Sequence, residues 1–126
     1  MATVLVIDDN DGLRAVVRLA LETDGHQVVD AADGRDGLAM LGRHAFDVMV
    51  TDILMPNKEG LETIREARAA WPGLAIVAMS GGGGMESLDL LQIALQFGAD
   101  RILEKPFRPS ELRAAVAEVV AARQTG

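Results

Sequence analysis

Short runs of apolar, largely β-branched residues recur along the chain at regular intervals, and their lengths are those of β-strands. The first, third and fourth runs are almost continuously apolar, which is typical of strands buried on both faces of a parallel sheet. The second run is more mixed and suits a strand at a sheet edge. The five predicted strands are Thr3–Ile7, Gln27–Ala31, Asp47–Thr51, Leu74–Met79 and Arg101–Leu103.

The segments between these strands have the spacing of amphipathic helices, with apolar residues at i, i+3, i+4, i+7 and i+8 in the first and last of them. The buried stripe predicted for the first helix is Leu13, Val16, Val17, Ala20 and Leu21. The corresponding stripe of the last helix is Leu112, Ala115, Val116, Val119 and Val120. The intermediate helices are predicted over Gly34–Arg43, Glu59–Ala70 and Met85–Phe97.

Strands that alternate with helices predict a βα series, and therefore an α/β fold whose five-stranded parallel sheet is covered by helices on both faces. Among the common doubly wound strand orders, 2-1-3-4-5 places the mixed second strand at an edge; this order rests on fold analogy. The alternation leaves no room for a linker. We expect a single domain over residues 1–126, without an output domain, and Met1 suggests a natural start.

Composition excludes several function classes. The chain has no cysteine, which rules out disulfides and thiolate metal sites and fits a cytoplasmic protein. Nineteen acidic and twelve scattered basic residues give a net charge of −7, so we expect no nucleic-acid partner. The apolar segment Ala2–Ile7 is too short for a signal peptide or a membrane span, and we expect no membrane contact.

Polar side chains stand at the carboxyl ends of four predicted strands: Asp8-Asp9, Asp52, Ser80 and Lys105. In a doubly wound sheet, ligands bind beyond these strand ends. With the strand order above, three carboxylates, a hydroxyl and an ammonium would meet at one rim. Carboxylates that repel one another favour a hard divalent cation such as Mg²⁺ or Mn²⁺. A carboxylate near such a cation can act as a nucleophile toward phosphorus.

Four segments, in order and spacing across the whole chain, resemble the signature of response-regulator receiver domains: VLVIDDN, DVMVTDILMPNKEG, IVAMSG and ILEKPF. The resemblance implies a flavodoxin-like fold. It also implies that Asp52 is the phosphoacceptor, with Ser80 as the switch hydroxyl and Lys105 as the phosphate partner. Asp9, assisted by Asp8, would bind the metal together with Asp52 and the backbone carbonyl of Leu54. A cis bond between Lys105 and Pro106 is implied by the resemblance alone.

The resemblance further implies a two-component signalling switch that takes its phosphoryl group from a sensor histidine kinase or a histidine phosphotransfer protein. Such a chain catalyses only its own phosphorylation and slow dephosphorylation, so it is not an enzyme with an external substrate. Two departures from the family pattern stand out. Ile102 replaces the usual aromatic residue three positions before the lysine, and Gly81–Gly84 is unusually rich in glycine, which implies a mobile loop.

Other interpretations of these residues are weaker. A haloacid-dehalogenase-type phosphohydrolase uses a similar set but needs D-x-D, whereas Ile53 and Leu54 follow Asp52. A phosphate-independent interaction module remains a third hypothesis. The four glycines are not followed by Gly-Lys-Ser/Thr, so they are not a nucleotide-binding P-loop. His26 and His44 fall at helix–strand connections and are interpreted as surface residues.

The output surface is expected on the face formed by helix 4, strand 5 and helix 5. Helix 4 has more apolar residues than one buried stripe requires. If Leu90, Ala94 and Phe97 point inward, Leu91 and Leu95 (with Leu88) point partly outward near Ile102. Exposed apolar residues in a row indicate a contact site, for a downstream protein or for phosphorylation-dependent dimerisation. The alternative is a helix placed so that both stripes are covered.

Overall fold

The computed structural model describes residues 2–53, 59–81 and 85–125. Five strands and five helices alternate along the chain, as the apolar pattern predicts. The strands are β1 (Thr3–Ile7), β2 (Gln27–Ala31), β3 (Val48–Asp52), β4 (Ala75–Ser80) and β5 (Arg101–Glu104). The helices are α1 (Asp11–Thr23), α2 (Gly34–Arg43), α3 (Glu59–Ala70), α4 (Met85–Phe97) and α5 (Pro109–Thr125). No helix in the described part of the chain is long and apolar enough to cross a membrane.

All strand pairs are parallel and the order is β2-β1-β3-β4-β5, which confirms the predicted doubly wound topology. The last three strands end one residue later than the sequence pattern indicates. Asp52 and Ser80 are therefore the last residues of their strands, and Ser80 pairs in register with Glu104. The polar side chains of Asp52 and Ser80 therefore stand directly at the end of the sheet.

The sheet separates the core into two layers because successive strand residues face opposite sides. On β1, Val4 and Val6 pack in the layer with α1 and α5, whereas Leu5 and Ile7 pack in the layer with α2, α3 and α4. β3 and β4 are buried along their whole length. This fixes the strands, and hence the position of the polar residues that follow them.

Helix α1 buries a narrower stripe than the sequence pattern predicts. Val17, Ala20 and Leu21 are buried and Leu13 packs against them, but Val16 is 56% exposed, so its assignment to the core stripe is wrong. Val16 lies about 100° around the helix from Val17, at the limit of the buried face. It stands beside Leu19, which is 66% exposed.

Helix α4 also differs from the expectation. Leu91 is 1% exposed and belongs to the core with Ala94, so its placement on the outer surface is wrong. Leu90, Phe97 and the strand residue Ile102 are partly buried against the same layer. Leu95 is 38% exposed, as predicted. The buried stripe is centred between Leu91 and Ala94. The side chain of Leu88 lies outside the described residues.

The prediction for the histidines is half right. His44 is exposed, but the His26 side chain is only 8% exposed, so its assignment to the surface is wrong. The backbone N–H of Ala2 donates to His26 Nδ1 at 3.0 Å, which fixes the ring against the start of β1. Neither residue is among those that form the acidic rim.

Two leucines of α4 allow a direct test of the buried stripe. Leu91→Ala should lower the free energy of unfolding by about 2–5 kcal/mol, because it leaves a cavity in the core. Leu95→Ala, the matched control one turn further on, should change it by less than about 1 kcal/mol. Urea denaturation of both variants measures the difference, and equal losses would contradict the described orientation of α4.

Candidate functional site

Side chains from four loops and strand ends meet at the carboxyl edge of the sheet. Lys105 Nζ lies 3.1 Å from Asp52 Oδ2 and 3.5 Å from Asp8 Oδ2. Carboxylate oxygens of Asp8, Asp9 and Asp52 all lie within 4.8 Å of one another. Ser80 is fully buried at the end of the adjacent strand. Leu54 lies outside the described residues.

The turn between β1 and α1 places the two adjacent aspartates in different environments. The backbone N–H of Asn10 donates to Asp8 Oδ1 at 2.9 Å, while Asn10 Oδ1 accepts from the N–H of Leu13 at 3.0 Å. Asn10 is therefore the N-cap of α1 and, through its own N–H, also a support for Asp8. Within this turn Asp8 is fully buried, whereas Asp9 is exposed.

Burial has an electrostatic consequence at Asp8. Desolvation raises the pKa of its carboxyl group above the ordinary value of 3.8, since burial penalises the charged form. The hydrogen bond from Asn10 and the charge of Lys105 act in the opposite direction, and the negative charge of Asp52 adds to the increase. The ionised form of Asp8 is therefore less stable in the folded protein than it would be in water.

Lys105 is held at the site through its backbone. Its N–H donates to the carbonyl of Ser80 at 2.7 Å, and its bond to Pro106 is cis, as the resemblance implies. Its stem passes close to Gly81, where a Cβ atom would lie 3.2 Å from Lys105 Cδ. This backbone hydrogen bond links β4 to the residue that follows β5. It joins the same two residues that supply the hydroxyl (Ser80) and the ammonium (Lys105) of the site.

Gly60 is a residue that sequence reasoning missed. It lies in the first turn of α3, and a Cβ atom there would lie 2.3 Å from the carbonyl oxygen of Asp52 and 2.4 Å from Ile53 Cα. Any side chain would displace backbone directly behind Asp52. The only signal in the sequence is a glycine near the start of a predicted helix, which usually costs stability there.

The charge balance of the cluster fits a divalent cation. Three carboxylates and one ammonium leave a net formal charge of −2 when all are ionised. Carboxylate oxygens are the ligands that Mg²⁺ and Mn²⁺ prefer. The exposure of Asp9 leaves the cluster open to solvent on one side. The residues present therefore fit a cation bound by oxygen ligands.

The raised pKa of Asp8 predicts a pH-dependent effect of Asp8→Asn on the metal-free protein. A folded-state pKa above the unfolded value means that Asp8 favours folding below the unfolded pKa, and that this contribution is lost as the pH rises through the folded pKa. Asp8→Asn should therefore increase stability at about pH 7 and lose this advantage near about pH 4. Urea unfolding at both pH values, with chelator present, measures it. A variant less stable than wild type at the higher pH would contradict the account.

Comparison with known proteins agrees with this geometry. A family model described as the response regulator receiver domain matches residues 4–117. The chain is 32% identical over 120 residues to the transcriptional regulatory protein AfsQ1 of Streptomyces coelicolor, covering 95% of this chain and 52% of that protein. It is 30% identical over 120 residues to the transcriptional regulatory protein CpxR of Klebsiella pneumoniae, covering 95% and 50% respectively.

The fold shows the same relationship. The crystal structure of a response regulator receiver domain protein from Clostridium thermocellum matches with a TM-score of 0.90 at 29% identity, covering 99% of this chain and 98% of that one. The chain spans about half the length of the curated relatives it matches. With the family model matched over nearly all of its residues, the chain belongs to the response regulator receiver domain family.

Proposed function

We propose that this chain is a phosphorylation switch that accepts a phosphoryl group on Asp52 from the phosphohistidine of a sensor kinase or a phosphotransfer protein. The family to which it belongs consists of phosphorylation-dependent switches of two-component systems. The observation that carries the proposal is the position of Asp52. Its carboxylate is buried at a strand end, 3.1 Å from Lys105 Nζ and beside the oxygens of Asp8 and Asp9.

In the proposed reaction, a carboxylate oxygen of Asp52 attacks phosphorus and forms the O–P bond as the P–N bond of phosphohistidine breaks. The electron pair goes to the imidazole nitrogen, which takes a proton from solvent, and an aspartyl phosphate remains. Lys105 offsets the charge of the transferred oxygens, and Ser80 offers its hydroxyl as a donor to one of them. Such transfer requires mainly positioning and charge neutralisation from the protein.

Asp8, Asp9 and Asp52 would hold Mg²⁺ or Mn²⁺, and the carbonyl of Leu54 completes the proposed set. The cation, when bound, neutralises charge on the phosphoryl oxygens. We assign slow hydrolysis of the aspartyl phosphate to the same site. No external substrate is involved, which distinguishes this function from a phosphohydrolase of the haloacid-dehalogenase type.

Three exposed apolar side chains, Val16 and Leu19 on α1 and Leu95 on α4, are the basis for assigning partner surfaces. Val16 and Leu19 stand on α1, the helix that begins directly after Asp9 and Asn10, and we assign the phosphodonor to this surface. Leu95 is exposed on α4, and Ile102 lies partly buried on the neighbouring β5. We still assign the downstream partner, or a second copy of the chain, to the face of α4, β5 and α5. Leu91 is not part of this surface, because it is buried.

Nucleic-acid binding is a separate question. The relatives AfsQ1 and CpxR are transcriptional regulatory proteins, and about half of each lies outside the match. The expectation that nucleic acid is not a partner therefore concerns these 126 residues alone, and it rests on their net charge of −7.

The phosphoacceptor is tested by Asp52→Asn. With acetyl phosphate and Mg²⁺, wild type should gain the mass of one phosphoryl group, measured on the intact protein, and the variant should gain none, because an amide is a poor nucleophile. Circular dichroism of the variant should match wild type. Labelling of the Asn variant at an acyl linkage would refute the assignment. Rapid turnover of a small phosphomonoester would favour the hydrolase, and no labelling of wild type would favour the phosphate-independent module.

The two assigned surfaces are tested against each other. Val16→Asp with Leu19→Asp should slow phosphotransfer from a histidine kinase that labels wild type, while labelling by acetyl phosphate stays unchanged. Leu95→Asp should leave both routes of labelling intact and weaken phosphorylation-dependent association, measured by analytical ultracentrifugation or by binding to a captured partner. Each variant controls for the other, because all three positions are exposed. Equal rates of phosphotransfer from the kinase to the α1 variant and the α4 variant would contradict the assignment of the phosphodonor to α1.

A further inference from the structure

Arg14 lies directly behind the turn that carries the two adjacent aspartates. Its Nη1 donates to the backbone carbonyl of Asp8 at 2.7 Å, and its Nη2 donates to Asp11 Oδ1 at 2.7 Å. The side chain is only 17% exposed, although it carries a permanent charge. Arg14 is thus a largely buried charged side chain with a short hydrogen bond to the Asp8 carbonyl.

The contact completes the immobilisation of Asp8. The N–H of Asp8 donates to the carbonyl of Ala31 at 3.2 Å, and its two carboxylate oxygens accept from Asn10 and Lys105. The carbonyl is the remaining polar group of this residue, and Arg14 binds it. Since this carbonyl belongs to the peptide bond between Asp8 and Asp9, its orientation sets the direction in which Asp9 leaves the sheet.

Arg14 is itself oriented by the edge strand. Its Nε lies 3.6 Å from Asp30 Oδ2, and Asp30 pairs in register with Val6 on β1. Arg18, one turn further along α1, also contacts Asp30 Oδ2, at 3.5 Å, and pairs with Glu22. The two arginines thus share an acidic partner, but only Arg14 is hydrogen-bonded to the turn before α1.

We propose that Arg14 is a positioning residue for the divalent-cation site: by holding the peptide bond between Asp8 and Asp9, it fixes the relative placement of the two carboxylates. The inference rests on the proposed function, because it concerns the same acidic site. Arg14 touches neither the reacting carboxylate nor the transferred group.

A simple charge effect predicts the opposite sign. Removing a cation close to an acidic cluster should strengthen the binding of a divalent cation, because repulsion is reduced. Loss of positioning should weaken binding, as is typical when a group that supports metal ligands is removed. The direction of the change therefore separates the two accounts, and Arg18→Ala supplies the matched control. It removes the same charge from the same helix without touching the Asp8 carbonyl.

The experiment measures Mn²⁺ binding by electron paramagnetic resonance for wild type, Arg14→Ala, Arg14→Lys, Arg18→Ala and Asp9→Ala. We expect Arg14→Ala to bind Mn²⁺ about tenfold more weakly, Arg14→Lys to recover part of the loss, and Arg18→Ala to bind as tightly as wild type or more so. Asp9→Ala gives the loss caused by removing a direct ligand. Wild-type or tighter binding by Arg14→Ala would overturn the proposal.

A second readout does not depend on the metal. In the cation-free protein, hydrogen exchange at the Asn10 amide, which donates to Asp8 Oδ1, should be faster in Arg14→Ala than in Arg18→Ala. If Arg14→Ala fails to fold, the comparison is made between Arg14→Lys and Arg18→Lys, and equal exchange and affinity in that pair overturns the proposal. A wild-type protein that neither binds Mn²⁺ nor accepts a phosphoryl group would instead contradict the proposed function.

Discussion

The burial of carboxylates around one lysine is the constraint on which the rest of this structure depends. Asp8 and Asp52 are both buried, and both contact Lys105, while Asp9 adds its charge from the exposed side. Burial of an anion costs free energy unless it is paired and hydrogen-bonded. Three ionised carboxylates and one ammonium leave a net formal charge of −2 in the cluster. The charged groups of the site therefore lower the free energy of unfolding, and the packing of the apolar sheet beneath them has to offset this loss.

The sheet can do this because its central strands are buried on both faces. β1, β3 and β4 place apolar side chains in both core layers, and their ends cannot shift without disturbing that packing. Close backbone contacts hold the rim further: Gly60 lies against the carbonyl of Asp52, and the N–H of Lys105 bonds to Ser80. Rigid elements thus hold charged groups nearer to one another than they would lie in a flexible loop.

Most of the fold and the membership of the rim followed from sequence, because both depend on alternation along the chain. Strand ends in a parallel sheet meet at one edge, so Asp8, Asp52, Ser80 and Lys105 could be grouped from the sequence alone. Burial at the margins of helices could not be predicted in this way. Val16 and Leu91 are apolar in either setting, and only the packing angle of each helix decides that one is exposed and the other is core.

Contacts through backbone atoms were equally hidden. The partner of Arg14 is a carbonyl, the contact at Gly60 is with main-chain atoms, and His26 is fixed by the N–H of Ala2. None of these depends on the identity of the residue on the other side, so no pattern of residue types indicates them. They depend on the detailed path of the backbone. The apolar pattern predicts the overall fold but not this local detail.

The electrostatic cost of the buried carboxylates also bears on the proposed switch. A cation held by Asp8, Asp9 and Asp52 in the folded chain would stabilise it by mass action, and its charge would offset theirs. A phosphoryl group on Asp52 would add negative charge next to Lys105, which at present is shared between Asp52 and Asp8. Lys105 is bonded through its backbone to the last residue of β4, so a change in its side-chain partner acts where β4 leads toward α4. This backbone link between β5 and β4 does not involve the side chain of Ile102, which replaces the family's usual aromatic residue.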